Sequence, residues 1–131
     1  MAEDIWNFKT RIDDIFIVTY PKCGTTLTQE LMWQITNNVD IDSELSKAII
    51  VARSPWIELS CVMHPNGIDE EILNKPLESL TPQEMMFNNS IKFINEFPSP
   101  RIIKTHLPFA MLPPNTLEKA KVLYVARLVD N

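Results

Sequence analysis

Residues 20–26, with the sequence Tyr-Pro-Lys-Cys-Gly-Thr-Thr, contain the groups that proteins use to hold a phosphate or a sulfate. They lie between an apolar run and a stretch with helical spacing, where unpaired N–H groups and the helix dipole favour an anion. Gly24, one of two glycines in the chain, lets the backbone approach that anion closely. Lys22 adds a mobile cation, and Thr25 and Thr26 add hydroxyl donors. The segment therefore predicts an anion-binding loop.

The same residues also suit an ordinary turn capped by Thr25 or Thr26, and local features alone leave these two interpretations nearly equal. Two sharper alternatives fail on spacing. A Walker A loop places its lysine after the second glycine, whereas Lys22 precedes Gly24. By resemblance, a cysteine-dependent phosphatase loop requires an arginine six positions after Cys23, where this chain has glutamine.

Composition narrows the class of protein. The chain has 131 residues, of which 45% are apolar, as is ordinary for one soluble domain. A net charge of −5 argues against a general nucleic-acid binder, because such binding depends on Lys and Arg. The sequence offers no signal peptide and no membrane-spanning stretch, which favours the cytoplasm. Cys23 and Cys61 are too few for a disulfide framework or a structural zinc site and are predicted to be reduced thiols.

The elements that position the loop follow from the hydrophobic pattern. Residues 15–20 are nearly all apolar, which predicts a strand buried on both faces of a parallel sheet. From Thr25 onward, Leu27, Leu31 and Ile35 recur at helical spacing until the Asn pair at 37–38. The first unit is therefore predicted to be strand, tight loop and helix.

The rest of the chain continues this alternation. Residues 41–80 mix short helical patterns with Pro- and Asn-bearing breaks, including a turn at 64–67 in which His64 is expected to be exposed. Thr81 begins a helix that carries an apolar face as far as Phe97. Two more short buried strands are then predicted at residues 102–105 and 122–126, and a short helix is predicted between them at residues 115–121. Strands alternating with helices indicate an α/β fold with a parallel sheet flanked by helices.

One domain is expected to occupy residues 1–131, and we expect it to be a partial one. The chain stops four residues after Arg127, when only three core strands have been assigned. A parallel sheet of this kind would normally continue.

Three segments carry a family resemblance. Residues 16–26 resemble the 5′-phosphosulfate loop of cytosolic sulfotransferases, and residues 104–108, Lys-Thr-His-Leu-Pro, resemble their catalytic segment. Residues 121–127 are similar to the strand that ends in the family's 3′-phosphate-binding arginine. Three motifs in the family's order are far more specific than any one of them. The resemblance covers roughly residues 11–127 and implies a P-loop nucleotide-hydrolase-like sulfotransferase fold, incomplete at its C-terminus.

The resemblance implies an activity and its partners. The family moves the sulfuryl group of 3′-phosphoadenosine 5′-phosphosulfate to a hydroxyl or amine of a small apolar acceptor such as a phenol, alcohol or steroid. It uses no metal, and it implies a cytoplasmic protein with no nucleic-acid or membrane partner and a homodimer in the full-length form. One alternative is a truncated, catalytically inactive fragment that binds nucleotide or a partner protein. An unrelated phosphate-loop nucleotide kinase is a more distant one.

The resemblance also assigns roles to residues. His106 would be the catalytic base, and Lys22 and Lys104 would be catalytic cations. The nucleotide would contact Lys22, Cys23, Gly24, Thr25, Thr26, Leu27 and Arg127, and the acceptor would contact Lys104, Thr105 and His106. Leu27 stands where the family usually carries a tryptophan that stacks on adenine.

Two sets of residues have competing interpretations. A lone histidine is more often packed at a strand end than catalytic, and only its place in Lys-Thr-His-Leu-Pro favours a catalytic His106. Trp56, Phe109 and the pair Met85 and Met86 could line an apolar acceptor pocket, but such residues are more often core. We therefore predict that these four belong to the core.

Overall fold

A three-stranded parallel sheet lies at the centre of the chain, in the order β2-β1-β3. The computed structural model describes residues 2–66, 71, 74–76 and 79–128. The strands are β1 (Ile15–Thr19), β2 (Ile102–Thr105) and β3 (Lys121–Val125). The α-helices include α1 (Ala2–Trp6), α2 (Thr25–Thr36), α3 (Glu44–Lys47), α4 (Ile50–Arg53), α5 (Leu59–Met63), α6 (Pro82–Asn88), α7 (Ser90–Asn95) and α8 (Thr116–Lys119), and a 3₁₀ helix spans Phe109–Met111. The predicted α/β fold with a parallel sheet is confirmed.

β1 is buried along its whole length, as its continuous apolar run predicts. Alternate side chains point to opposite faces of a strand. Phe16 and Val18 accordingly pack into one apolar cluster, with Ile57, Ile94 and Ile103 among its members. Ile15 and Ile17 pack into a second cluster with Trp33 and Ile102.

α2 begins where the sequence predicts, but it buries a different face. The apolar side chains that defined its periodicity are exposed by 66%, 54% and 66%: Leu27, Leu31 and Ile35. The buried side chains are instead Thr25, Gln29 and Trp33. The Trp33 ring packs on Ile15 and Ile17, and the Gln29 carboxamide donates to both the carbonyl and the hydroxyl of Ser54. One large aromatic ring and a satisfied amide therefore set the helix orientation.

The long helix predicted from Thr81 to Phe97 is divided into α6 and α7. Its start is as predicted, because Thr81 and Glu84 form a reciprocal capping box. Asn89 interrupts the helix with φ −148° and ψ 75°, and its side chain accepts a hydrogen bond from the Lys92 N–H. Asparagine competes for backbone hydrogen bonds in this way, so a second N-cap replaces the helix interior.

The region 41–80 contains the short helices α3, α4 and α5, in agreement with the predicted irregular helical structure. Residues 67–70, 72–73 and 77–78, including Gly67 of the predicted turn, lie outside the described residues. His64 is not an exposed turn residue as predicted. It is half-buried after α5, and its Nε2 lies 2.8 Å from Oδ1 of Asn88.

A buried ion pair joins the amino ends of the two paired strands. Arg101 precedes β2, Asp14 precedes β1, and neither side chain is exposed to solvent. The guanidinium donates from Nε and Nη2 to the two carboxylate oxygens, at 2.7 Å and 2.6 Å. None of the helices in the described part of the chain has the length and apolar character needed to span a bilayer.

Candidate active site

The predicted loop and His106 meet at the carboxyl ends of β1 and β2. Residues 20–24 follow β1, His106 follows β2, and Val18 pairs with Thr105 at the last position of that strand pair. β1 lies in the middle of the sheet, with β2 on one side and β3 on the other. The chain therefore crosses from one side of β1 to the other between β2 and β3. Ligands of open α/β sheets bind at the carboxyl edge beside such a change of direction.

The backbone of the loop is shaped by two residues with positive φ, Lys22 at 67° and Gly24 at 101°. Gly24 is the N-cap of α2 and supplies no side-chain cap. Among the described residues, no partner accepts from the first N–H groups of this helix, at residues 25–27. A Cβ at Gly24 would meet no atom within 4 Å, so the backbone conformation rather than protein crowding favours glycine here. The loop thus presents free N–H donors, as an anion site requires.

His106 is held from one side of its ring by Thr19, the last residue of β1. Its Nδ1 lies 2.8 Å from the Thr19 carbonyl oxygen and 3.0 Å from the Thr19 hydroxyl. The carbonyl can only accept, which favours the tautomer that carries the proton on Nδ1 and leaves Nε2 bare. Nε2 has no hydrogen-bond partner within the described part of the chain. This nitrogen is therefore free to accept a proton.

The loop and the histidine are linked by a second contact. The hydroxyl of Thr19 lies 2.7 Å from the hydroxyl of Thr25, and both residues are buried. Thr25 is the first residue of α2, so a continuous hydrogen-bonded path joins the predicted anion loop to His106.

Glu58 holds the backbone of the same histidine. Its side chain is 5% exposed, and Oε1 accepts a 2.6 Å hydrogen bond from the His106 N–H. Its other carboxylate oxygen is buried without a partner among the described residues. Glu58 reaches this position because residues 55–57 run parallel to β2, with hydrogen bonds between Pro55, Ile57 and the backbone of Lys104.

Lys104 lies beside this group in an unusual environment. Its ammonium nitrogen is 3.7 Å from the centroid of the Trp56 ring, at cation–π distance. Burial lowers the pKa of Lys104, and the negative charge of Glu58 offsets part of that effect. A partly desolvated ammonium group acts more strongly on a nearby oxygen anion than a solvated one.

An apolar cleft of about 470 Å³ opens beside His106. Its walls are formed by Val18, Thr19, Tyr20, His106, Leu107, Pro108, Phe109 and Tyr124. The rings of Phe109 and Tyr124 are 5.7 Å apart, and Phe109 is 43% exposed. Phe109 therefore lines the cleft and is not core as predicted, whereas Met86 is core. Trp56 is half-buried with its ring edge-on to His106, at 5.3 Å between centroids.

The remaining predicted site residues make fewer contacts with the group around His106. Within the described residues, five of them make no hydrogen bond, ion pair or ring contact with His106, and all except the half-buried Cys23 are exposed: Lys22, Cys23, Thr26, Leu27 and Arg127. Arg127 follows β3 and therefore lies at the same edge of the sheet as the loop. Thr105 is fully buried, and its hydroxyl accepts from the Leu107 N–H at 3.0 Å. Its predicted contact with an acceptor stays a prediction.

Sequence reasoning missed Glu58 as a site residue and did not assign Thr19 a role toward His106. The only signal for Glu58 is its place among apolar residues in the run Trp-Ile-Glu-Leu at 56–59, and a glutamate there is more often exposed than buried. Thr19 carries no comparable signal, since a threonine at a strand end is common. In the described part of the chain, no three His, Cys, Asp or Glu side chains are grouped as metal ligands would be.

Comparison with known proteins gives a consistent result. A family model described as the sulfotransferase domain matches residues 12–128. Sulfotransferase 1A1 of Mus musculus is 36% identical over 95% of this chain and 35% of its own length. Luciferin sulfotransferase of Photinus pyralis is 36% identical over 95% of this chain and 32% of its own length. The chain therefore spans about a third of the length of these relatives.

A solved structure shares the fold. Retinol dehydratase, crystallised with retinol and PAP, superposes with a TM-score of 0.68 at 28% identity. The match covers 94% of this chain and 38% of retinol dehydratase. The same protein has also been crystallised with androsterone and PAP, which is described there as an inactive cofactor.

Proposed function

This chain belongs to the sulfotransferase family, and on that premise we propose that it moves a sulfuryl group from 3′-phosphoadenosine 5′-phosphosulfate to a small apolar acceptor. The observation that carries the proposal is the path from Thr25 through Thr19 to Nδ1 of His106. It places a candidate base with a free Nε2 next to the loop that would hold the donor. Because the chain spans about a third of its relatives, the proposal concerns the contribution of these residues to the whole activity.

His106 would act as the general base. In the reaction, the acceptor oxygen forms a bond to sulfur while the bond from sulfur to the bridging phosphate oxygen breaks. The acceptor proton passes to Nε2, because the Thr19 carbonyl favours the tautomer in which Nδ1 is the donor. The products are a sulfate ester, 3′,5′-adenosine bisphosphate and a protonated imidazole that returns its proton to solvent.

Two lysines would stabilise the charge that develops. Sulfuryl transfer follows the logic of phosphoryl transfer, in which positioning and charge stabilisation supply most of the catalysis. Lys104, partly desolvated against Trp56, would support the transferring group or the acceptor oxygen. Lys22, exposed in the loop, would neutralise the leaving phosphate.

The nucleotide would lie along the carboxyl edge of the sheet. The unpaired N–H groups at residues 25–27, with Gly24 and the hydroxyls of Thr25 and Thr26, suit the 5′ end. Arg127 at the end of β3 suits the 3′-phosphate, and the exposed Leu27 offers an aliphatic surface to adenine. The PAP found in retinol dehydratase, which we take to be 3′,5′-adenosine bisphosphate, supports this choice of nucleotide.

The acceptor would enter the cleft beside His106. Its volume of about 470 Å³ lies in the range of small-molecule sites, and aromatic side chains form much of its wall. A phenol, alcohol or steroid would suit such a wall, and the retinol and androsterone of the structural neighbour support this class. A metal-free mechanism, cytoplasmic location and a homodimer of a longer form complete the proposal as properties of the family.

Calorimetric titration of the 131-residue chain with 3′,5′-adenosine bisphosphate tests the nucleotide site. We expect binding of this nucleotide in preference to ATP, and the reverse preference would favour a nucleotide kinase instead. Gly24→Val is expected to weaken binding by about tenfold through crowding of the anion. Gly24→Ala is the control, because it also places a side chain at positive φ but crowds the anion less. Equal affinity of the two variants would contradict close backbone approach.

Transfer to a simple phenol tests the base. In a form of the protein that is active, His106→Ala is expected to lower kcat by about 100-fold or more while leaving nucleotide affinity nearly unchanged. Full activity of that variant would rule out the assigned role.

A further inference from the structure

We propose that Thr19 is a positioning residue that couples the anion loop to His106, so that the state of the Thr25 hydroxyl sets the tautomer of the histidine. The proposal rests on the proposed function, in which His106 needs a bare Nε2. It rests on three short distances between the buried Thr19 and Thr25 and the half-buried His106: Thr19 O to Nδ1, Thr19 Oγ1 to Nδ1, and Thr19 Oγ1 to Thr25 Oγ1.

The two Thr19 oxygens act differently on the ring. The carbonyl only accepts and always favours the Nδ1–H tautomer. The hydroxyl can accept from Nδ1–H or turn and donate to a bare Nδ1, which would place the proton on Nε2. The carbonyl alone therefore does not determine the tautomer, and the direction of the hydroxyl matters.

The Thr25 hydroxyl decides that direction. If the Thr19 hydroxyl donates to Thr25, it has no proton left for Nδ1 and must accept from the ring. The chain of donors then runs from His106 through Thr19 to Thr25, and the Thr25 proton is free to point to a bound anion. An anion that accepts from Thr25 reinforces this direction, because hydrogen bonds in a chain strengthen one another. The donor nucleotide would thereby help to keep Nε2 bare.

This arrangement differs from the ordinary burial of a threonine. Thr116 is 1% exposed, and its hydroxyl is buried without a partner among the described residues. Thr19 is 2% exposed, yet its hydroxyl has one partner on each side, and one of them is the candidate base. Thr116→Val therefore controls for the loss of a buried hydroxyl without the loss of the path.

The test reads the two ring nitrogens of His106 directly by ¹⁵N NMR of the 131-residue chain, without any transfer reaction. His64 serves as an internal reference, because Nε2 faces Oδ1 of Asn88 and this histidine is expected in the opposite, Nε2–H tautomer. Spectra are compared for the wild type, Thr25→Val, Thr19→Val, the double variant and Thr116→Val. A thermal melt of each variant verifies that it is folded.

In the wild type and in Thr116→Val we expect mainly the Nδ1–H tautomer. Thr25→Val frees the Thr19 hydroxyl to donate to Nδ1, and the ratio of Nδ1–H to Nε2–H should fall about fivefold, which corresponds to roughly 1 kcal/mol for one neutral hydrogen bond. In a Thr19→Val background, Thr25→Val should have no effect, because no hydroxyl remains to turn. A non-additive pair of this kind demonstrates coupling.

The proposal is overturned if the wild type is mainly Nε2–H, if Thr25→Val behaves like Thr116→Val, or if Thr25→Val acts equally with and without the Thr19 hydroxyl. Addition of 3′,5′-adenosine bisphosphate then tests the proposed function separately. Failure of the nucleotide to bind would count against that function, while the result in the ligand-free chain would still decide the coupling.

Discussion

Asp14→Ala tests how strongly the fold depends on the ion pair at the amino ends of β1 and β2. Asp14 accepts from two nitrogens of Arg101 and also from the Arg11 N–H at 2.7 Å. Without the carboxylate, Arg101 would remain fully buried, with the Lys9 carbonyl at 3.1 Å and a long contact to Asn95 at 3.4 Å. The substitution therefore leaves a buried charge nearly unpaired.

The size of the effect follows from burial. Removing one partner of a buried, hydrogen-bonded pair costs about 3–5 kcal/mol, a large part of the ~5–15 kcal/mol that stabilises a domain. The pair between Arg53 and Glu30 has similar two-point geometry, at 3.1 Å and 2.8 Å, but its carboxylate side chain is 39% exposed. Arg53 is itself only 5% exposed, but without Glu30 it keeps the Ala48 carbonyl at 3.0 Å and the Trp33 ring. Glu30→Ala should therefore cost less than Asp14→Ala, about 2 kcal/mol.

Thermal denaturation followed by circular dichroism measures both variants. In a chain of this size we expect the melting temperature to fall by about 4 °C per kcal/mol, so that Asp14→Ala melts well below Glu30→Ala. The double variant Asp14→Leu with Arg101→Met should recover much of the loss, because it removes both charges. Equal destabilisation by Asp14→Ala and Glu30→Ala would refute the argument from burial.

Three further predictions concern single residues. Glu58→Gln keeps an acceptor for the His106 N–H but removes the negative charge that offsets the burial of Lys104. NMR titration should therefore show a further fall in the pKa of Lys104, and an unchanged pKa would contradict an electrostatic effect of Glu58 on Lys104. The folded pKa of Lys104 lies below its ordinary value of 10.5, so between these two pH values the unfolded chain binds more protons than the folded chain. The free energy of unfolding should therefore rise with pH across that window, and Lys104→Met should abolish the rise. Val39→Gly should stabilise the fold by about 1 kcal/mol in urea, since Val39 is exposed and has φ 57°; a loss of stability would count against this explanation.

The sequence predicts the strands well and the helix faces less well. Continuous apolar runs indicate β1 and β2 because these strands are buried. β3 is also predicted to be buried, and this is wrong, since Leu123 and Tyr124 are 38% and 59% exposed. α2 shows why periodicity is weaker for helices. Its spacing of Leu27, Leu31 and Ile35 gives the correct element, but Trp33 and the hydrogen bonds of Gln29 determine which face is buried. Asn89 shows the same limit, because its cap depends on one side-chain rotamer.

The candidate site could be predicted only where a motif covers it. His106, Lys104 and the loop around Gly24 lie in contiguous segments and were expected. Glu58 is brought to His106 by residues 55–57 running beside β2, a long-range pairing that local patterns do not encode. Thr19 was not assigned to His106 because its role depends on the register between β1 and β2.

That register explains how the distant ion pair bears on the site. β1 and β2 are paired at four positions, from Ile15 with Ile102 to Val18 with Thr105. The contact of Asp14 with Arg101 lies just before the first pair, and the contact of Thr19 with His106 lies just after the last. A slip of one residue would reverse the facing of every side chain and separate both contacts at once. The same register is therefore selected by the buried charges at one end of the strands and by the contact of Thr19 with His106 at the other. Asp14→Ala should then loosen the hydrogen bond between His106 and Thr19, although the two sites lie at opposite ends of the strands.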